Sequence, residues 1–389
     1  LEIRKLRQVD YFFLLVMIAY AFDFGNLKYA MAWCFSVVYF LGSGLYEKRR
    51  LKGIGKEYLL IFGGITILFV ITAILQMING FNSYAINEAV YYYTPLIFII
   101  VYSQISDEQD VETILNYLFV LYIIAFFKNF AGQLTLANIK SISFANSYSP
   151  FESELAFVFL IFECFYLYMG KRKNAIISLI LCILSFKRIC MLVAISFFVL
   201  SKWLIQKKPV SKKTVFAAVV FFVLLPTLTC VMLNDTFEAW FYQTFHITLY
   251  EATLSRSSRI EAVMNSGQIK YGLGSVTTYL TRYLNTMHGS NFASRSMHND
   301  LVQMYLECGI LGSIVFTYVY MKAASVNRMS FVLLCYIFFE CYFNHLFGAG
   351  CTHIWVLIYL MMSIAGMTTR NGESDGEENG TNYSFYTDI

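Results

Sequence analysis

An arginine-bearing polar segment and a His-Asn-Asp triplet in the second half of the chain have the side-chain chemistry to bind an anion and to move a proton. The segment reads Ser-Arg-Ser-Ser-Arg-Ile-Glu over 255–261, with Arg259 as its candidate anion-binding residue, and His298 is followed directly by Asn299 and Asp300. Guanidinium groups match the geometry of phosphate oxygens, and an imidazole titrates near neutral pH. Asn299 or Asp300 is suited to cap the helix that follows. These residues predict a site for a phosphorylated substrate at the start of a helix.

The segment from Ser258 to Glu261 matches a capping box, which marks the start of a helix. Arg259 would then be the first residue of that helix. A cation at this position opposes the helix dipole, so a bound anion would account for it, because the free N–H groups there favour negative charge. A solvated arginine is the alternative for Arg259, and an ordinary surface histidine is the alternative for His298.

Lys187 and Arg188 lie between two apolar runs, against the usual distribution of charge around a membrane. Arg188 either faces a ligand phosphate or extends along the apolar surface to reach water. The five histidines and nine cysteines show none of the spacings typical of metal sites. We therefore expect neither a metal nor a cofactor.

The composition places the chain in a bilayer. Hydrophobic residues make up 58% of the chain and charged residues only 14%, which is more apolar surface than a water-soluble core can bury. The net charge of +4 does not indicate a nucleic-acid partner, because the basic residues form short clusters between apolar runs, as in membrane proteins. The fold class predicted is an all-α polytopic membrane protein.

Apolar windows long enough to cross about 30 Å of hydrocarbon predict about twelve membrane-spanning helices. They cover 9–24, 29–46, 58–78, 88–103, 111–130, 153–169, 174–187, 189–205, 214–234, 299–321, 329–346 and 352–368. The first and seventh are short, and the seventh and eighth meet at Phe186-Lys187-Arg188, so that this pair is either one broken helical hairpin or two crossings.

These spans divide the chain into four regions. They are nine transmembrane helices in 1–234, a large external loop in 235–298, the C-terminal helices in 299–368 and a disordered tail in 369–389. Most of the 29 basic residues fall on the side of the N-terminus, which predicts that both termini are cytoplasmic. Aromatic residues at helical spacing in 235–256 predict an amphipathic helix that either lies on the outer leaflet or packs on the protein as a lid.

The order of these features resembles the O-antigen polymerase and ligase superfamily, of the Wzy and WaaL type. An arginine at the outer end of a mid-chain span precedes a large external loop that opens with Arg-x-Glu. A Gly-x-Gly turn and a His-Asn pair then lead into Glu-x-Gly-x-x-Gly. The match covers residues 180–320. It departs from the pattern in having Lys187 where many relatives have Ser or Thr, and in lacking a proline before Gly272.

The resemblance implies a GT-C-like fold and a metal-independent glycosyltransferase. This enzyme would polymerise undecaprenyl-pyrophosphate-linked repeat units into O-antigen, capsular or exopolysaccharide at the outer face of the bacterial cytoplasmic (inner) membrane. It implies that His298 is the general base and that Arg259 and Arg188 bind the pyrophosphate. The residues assigned to substrate binding are Lys187, Arg256, Asn299, Gly272, Gly274 and Glu307. The partners implied are the lipid-linked glycans, the bilayer and a chain-length regulator.

Two alternatives stay open. An O-antigen ligase of the same superfamily would transfer finished polymer to lipid A core, and it shares the motif. A transporter or flippase of lipid-linked oligosaccharide would explain twelve spans and the 18% aromatic content. Transport would not require the arrangement of Arg259 and His298 in an external loop. The scarcity of proline and the abundance of Phe, Tyr and Ile favour the polymerase over the ligase.

Overall fold

A computed structural model describes residues 5–46, 55–133, 135–141, 152–204, 208–253, 256–267, 269–288 and 297–380, and over these residues its only regular elements are helices. The helices are α1 (Gln8–Ala21), α2 (Leu27–Tyr46), α3 (Lys56–Asn79), α4 (Tyr84–Ile105), α5 (Glu108–Ala131), α6 (Leu136–Lys140), α7 (Leu155–Tyr168), α8 (Arg172–Leu184), α9 (Arg188–Val199), α10 (Ser201–Leu204), α11 (Lys212–Met232), α12 (Asp235–Phe245), α13 (Leu249–Ala252), α14 (Arg256–Asn265), α15 (Ser275–His288), α16 (Asp300–Ala324), α17 (Arg328–Phe343) and α18 (Thr352–Gly380). Eleven of the twelve predicted spans each lie on one helix, whereas the span 189–205 is divided between α9 and α10, and its last residue lies outside the described residues.

Five helices in the described part of the chain are long and apolar enough to cross a membrane, namely α3, α4, α5, α11 and α16. Others are apolar but shorter. The 13 residues of α8 and the 12 residues of α9 extend only about 20 Å at 1.5 Å per residue, which is less than the thickness of a bilayer core. Length and composition thus support a helical membrane protein.

The predicted disordered tail is partly helical. Backbone of α18 continues to Gly380, so the helix includes 369–380, where composition predicts disorder, while 381–389 lies outside the described residues. The difference has a physical reason. The apolar part of α18 already supplies the helical nucleus, and extending an existing helix costs far less than starting one.

The twelve helices over the predicted spans alternate in direction, so their connections gather at two ends. The end that carries the 233–299 segment is called the loop end here. Three hydrogen bonds join its connections: Ser153 N–H to the Ser185 carbonyl (3.1 Å), Leu273 N–H to Thr72 Oγ1 (3.1 Å) and Leu346 N–H to Asp300 Oδ2 (2.6 Å). The opposite end is joined by the Arg7–Asp110 ion pair at 2.7 Å and by Val210 N–H donating to the Ser325 carbonyl at 2.8 Å.

Between the two ends, α7 and α18 form the centre of the bundle. Nearly every residue of α7 is buried, and it packs against α5, α8, α9 and α18. On one side α16 packs against α3 and α11. Phe347 and Trp355 stack with ring centroids 4.0 Å apart, which fixes the loop before α18 against its first turns. The loop end therefore rests on a rigid base.

The loop-end segment has a small core of its own, which we call the loop layer. Side chains from α14, α15 and the start of α16 form this core, together with the residue before His298; they are Ile260, Val263, Val276, Leu280, Met297, Val302 and Leu306, joined by Cys230 of α11. Ile260 and Val263 are one turn apart on α14, so their shared face docks α14 beside α16. The loop layer is thereby fixed to the bundle.

In contrast, α12 has no buried residue. Phe237, Trp240, Phe241 and Phe245 contact one another, with centroids 4.8 to 6.2 Å apart. Trp240 and Phe245 are each more than half exposed. Within the described chain this helix does not pack as a lid. Its apolar face stays available to a membrane surface.

Candidate functional site

Helix α14, which carries Arg256 and Arg259, starts earlier than predicted. Because α14 begins at Arg256, Ser258 and Glu261 lie inside the helix, and the predicted capping box does not mark its start. The Thr253 hydroxyl instead accepts the Ser257 N–H at 3.1 Å, which satisfies one donor of the first turn. Both Arg256 and Arg259 consequently lie in the first helical turns, where the dipole opposes a positive charge.

Arg256 and Arg259 are half-buried and close enough to repel each other. Burial, followed by the charge of Arg259, lowers the pKa of Arg256, and burial lowers the pKa of Arg259. No ion pair or hydrogen bond to the Arg256 guanidinium is present among the described residues. Burial, the helix dipole and a like charge all disfavour two cations here, so an anion would be stabilised between them.

His298 lies next to this pair of arginines. Burial, then the charges of Arg259, His345 and Arg256, lower its pKa to about 4, so the imidazole is neutral at physiological pH. Its backbone has φ 54, in the left-handed region that few non-glycine residues adopt. Strained backbone of this kind often occurs at functional sites. The structure thus brings together the predicted Arg259, Arg256 and His298.

The two residues after His298 hold the start of α16. Asn299 is buried, and its side chain accepts the Val302 N–H at 3.0 Å as a helix cap. Asp300 lies 2.5 Å from Nδ1 of His345 and also accepts the Phe347 N–H at 3.0 Å. Asp300 is therefore fully occupied by structural contacts and is not free to take a proton from a substrate.

His345 is a functional candidate that the sequence did not single out. Burial opposes its charged form, but the charge of Asp300 and their hydrogen bond outweigh burial and raise the pKa of His345 to about 9. At neutral pH it is a cation, and its charge reaches His298. The chain separation of 45 residues between Asp300 and His345 explains why no local pattern indicates the pair.

Lys187 and Arg188 are the two predicted cations at the start of α9, and Lys187 is the buried one. Its amino group pairs with Glu154 at 2.9 Å and lies 3.9 Å from Glu152. Burial alone would lower the pKa of Lys187, but the charge of Glu154 reverses this and raises it. Arg188 is the first residue of α9 and its side chain is exposed. A role of Arg188 in binding pyrophosphate stays a prediction.

The charge of Glu340 acts on Arg256. It also acts on Cys190, on which the charge of Lys187 acts as well. Glu340 is fully buried near the end of α17 and accepts hydrogen bonds from the Tyr336 hydroxyl at 2.7 Å and from the Asn344 amide at 2.6 Å. Glu340 therefore joins the loop-end cluster as a fixed acceptor with two donors.

A break in α16 anchors the loop layer. Gly309 has φ 68 and ψ −171, which interrupts the helical hydrogen bonds around it. Two carbonyls near the break accept N–H groups from the loop layer: Leu306 accepts from Lys270 at 2.6 Å and Glu307 accepts from Gly272 at 2.9 Å. Backbone groups at this depth need such partners, so the kink and the loop segment stabilise each other.

The Gly-x-Gly turn and Glu307 have structural roles here. Gly272 and Gly274 have φ 88 and φ 80, and a Cβ on Gly274 would lie 2.7 Å from the backbone of Tyr84. The carboxyl group of Glu307 accepts the Val276 N–H at 3.0 Å, which satisfies a backbone donor in the first turn of α15. These contacts explain all three residues without a ligand, and their predicted part in substrate binding stays a prediction.

Together these contacts make a half-buried cationic site beside a neutral imidazole at one end of the bundle. Its chemistry suits an anion held by Arg256 and Arg259, next to a group that can accept a proton.

No family of known proteins matches the chain, and neither a curated protein nor a solved structure matches it.

Proposed function

We propose that the chain is a membrane-embedded, metal-independent glycosyltransferase. It polymerises repeat units carried on undecaprenyl pyrophosphate into O-antigen, capsular or exopolysaccharide. The single observation that carries this proposal is the convergence of Arg256, Arg259 and His298 at the loop layer, where the charges of Arg259 and Arg256 both lower the pKa of His298. The order of residues along the chain, which resembles the polymerase and ligase superfamily, supports the same assignment.

Cations that stabilise the leaving diphosphate matter more for this donor than an acid that would protonate it. A glycosyl pyrophosphate carries a good leaving group, so the main requirement is to stabilise the negative charge that develops on the departing diphosphate. Arg256 and Arg259 supply guanidinium groups at a helix start, where backbone N–H groups also favour an anion. His345, held protonated by Asp300, adds positive charge nearby.

In the reaction proposed, an acceptor hydroxyl oxygen attacks the anomeric carbon of the donor sugar. The new C–O bond forms as the bond to the phosphate oxygen breaks, and undecaprenyl pyrophosphate leaves with the electron pair. The hydroxyl proton moves to His298, which is neutral at physiological pH because its pKa is about 4. A bound diphosphate offsets the arginine charges, which raises the basicity of His298 at the moment it must accept the proton.

We place all twelve helices over the predicted spans across the bacterial cytoplasmic membrane in a GT-C-like arrangement. The loop end faces outward and both termini face the cytoplasm. The alternation of helix directions and the basic residues at the end opposite the loop support this orientation. The lipid-linked glycans and the bilayer are then direct partners, and a chain-length regulator is a further protein partner of this assignment.

The test uses the purified protein in detergent with a lipid-linked repeat unit, and measures chain length on gels. We expect Arg256→Gln, Arg259→Gln and His298→Gln each to lower the rate at least tenfold, since each removes a charge-assisted contact or the base. Arg188→Gln tests the remaining predicted cation. Arg282→Gln is the matched control, because Arg282 is exposed on α15. Wild-type chain lengths in all of the first three variants would refute the proposal.

A strain in which the gene is deleted, together with the purified protein, separates the alternatives. Single repeat units on the lipid A core of a deletion strain indicate a polymerase. Naked core with accumulated lipid-linked polymer indicates a ligase. If the purified protein moves lipid-linked oligosaccharide between leaflets but never lengthens it, the chain is a transporter.

A further inference from the structure

A polar cavity opens at the loop end, beside the ion pair of Lys187 with Glu154. Its volume is about 440 Å³, and its walls come from the ends of α1 and α5, the residues before α7, and the start of α18. Cavities of this size hold small organic ligands. None of the residues in the predicted site lines it.

The walls combine flat apolar rings with hydrogen-bonding groups. Rings come from Tyr20, Phe126 and Phe130, and polar groups include Gln133 and Glu154. The described lining contains no Lys or Arg, so a phosphate would find no cation there. A pyranose ring has one apolar face and a rim of hydroxyls, and it needs just such a mixture of ring faces with amide and carboxylate oxygens.

Two buried polar atoms on this lining have no hydrogen-bond partner among the described residues. They are the Tyr20 hydroxyl and Nε2 of His353, and their side chains are 3% and 8% exposed. The imidazole of His353 is held by the Gly350 backbone and by stacking on Tyr122, with centroids 5.7 Å apart. Leaving such atoms unsatisfied is unfavourable. A ligand hydroxyl that comes within hydrogen-bond distance of either atom would satisfy that atom.

The cavity lies next to Lys187, which is one of the residues predicted to bind substrate. Glu152 and Glu154 line the cavity, and both lie within ion-pair distance of Lys187. The charge of Glu152 also acts on Arg256. A sugar bound in the cavity would therefore lie near Lys187.

We propose that this cavity binds a pyranose unit of the lipid-linked glycan. The assignment to that glycan rests on the proposed function, whereas the affinity for a pyranose does not. The Tyr20 hydroxyl and the His353 imidazole donate to or accept from its hydroxyls, and the ring faces of the lining contact its apolar face.

Saturation-transfer NMR on the full chain in detergent tests this, with the methyl glycosides of glucose, galactose, mannose and N-acetylglucosamine as probes. At least one glycoside should receive saturation from the wild-type protein. Tyr20→Phe deletes only the hydroxyl and should weaken that binding about fivefold, as expected for one lost hydrogen bond. Inorganic phosphate should not compete.

Tyr122→Phe is the matched control. The Tyr122 hydroxyl is also buried without a partner among the described residues, but it does not line the cavity. This variant should bind the sugar as the wild type does. The absence of transfer to all four glycosides would overturn the proposal, and so would equal losses in the two variants. Sugar binding by a purified wild-type protein that never lengthens the lipid-linked repeat unit would instead remove the proposed function and leave the sugar site.

Discussion

Asp300 and His345 form a contact of 2.5 Å that joins the start of α16 to the loop after α17. The pKa of His345 is raised from 6.5 to about 9. A raised pKa stabilises the fold fully below the unfolded value of 6.5, and this stability is lost as pH rises through about 9.

We therefore expect His345→Asn to lower the thermal midpoint in detergent at about pH 6, with the difference from wild type shrinking toward about pH 10. The lost charge-assisted bond corresponds to about 1.5–3 kcal/mol at the acidic end. His246→Asn is the control, because His246 is exposed at the end of α12. A difference that stays constant across this pH range would contradict the assignment of the pair.

Gly274 is expected to tolerate no side chain. Gly274→Ala would place a Cβ 2.7 Å from the Tyr84 carbonyl carbon and 2.8 Å from the Ala85 nitrogen, and backbone atoms cannot easily move aside. The clash adds about 1–3 kcal/mol to the cost of a positive φ. Gly267→Ala separates the two costs, because Gly267 has φ 68 but open space around it. Thermal midpoints should fall much further for Gly274→Ala, and equal shifts would show that packing on α4 is unimportant.

Glu163 and Glu340 are both fully buried carboxylates, but their surroundings differ. Neither oxygen of Glu163 has a hydrogen-bond partner among the described residues, whereas Glu340 accepts from Tyr336 and Asn344. Glu163→Met should leave the thermal midpoint unchanged or raise it, because it removes an unsatisfied polar group. Glu340→Met should lower it, because two buried donors lose their acceptor at about 1–3 kcal/mol each. The reverse order would mean that Glu163 has a partner outside the described residues.

The exposed aromatic face of α12 should lie in the lipid headgroup region. In vesicles containing brominated lipids, the fluorescence lost in Trp240→Phe relative to wild type reports on Trp240 alone. We expect this signal to be quenched most by bromines near the headgroups. Trp33→Phe gives the comparison, because Trp33 lies within α2 and is 38% exposed; its signal should respond to deeper bromines. A Trp240 signal insensitive to brominated lipid would place α12 in water.

Much of the fold follows from the sequence because long apolar runs can satisfy their backbone only as helices. The predicted spans and the helix over 235–245 lie on helices for this reason. Boundaries were less predictable. The Thr253 hydroxyl starts α14 earlier than the Ser258 pattern indicates, and only three-dimensional packing tells that Lys187 points inward while Arg188 is exposed.

The candidate site was predictable in part. The resemblance pairs Arg259 and Arg188 with His298, whereas the structure brings Arg256, not Arg188, to Arg259 and His298. The contribution of His345 depends on a contact between distant segments. The structural role of Glu307 depends on the Val276 N–H. Neither partner could be read from the local sequence.

The break at Gly309 limits how substrates can reach the arginines. Two α16 carbonyls are satisfied only while the 270–272 segment stays in place, and detaching it would cost about 1–3 kcal/mol for each orphaned group. The 270–272 segment therefore does not open readily to admit a substrate. A long-tailed lipid would instead slide laterally between helices, with its isoprenoid chain remaining in the hydrocarbon throughout the catalytic cycle.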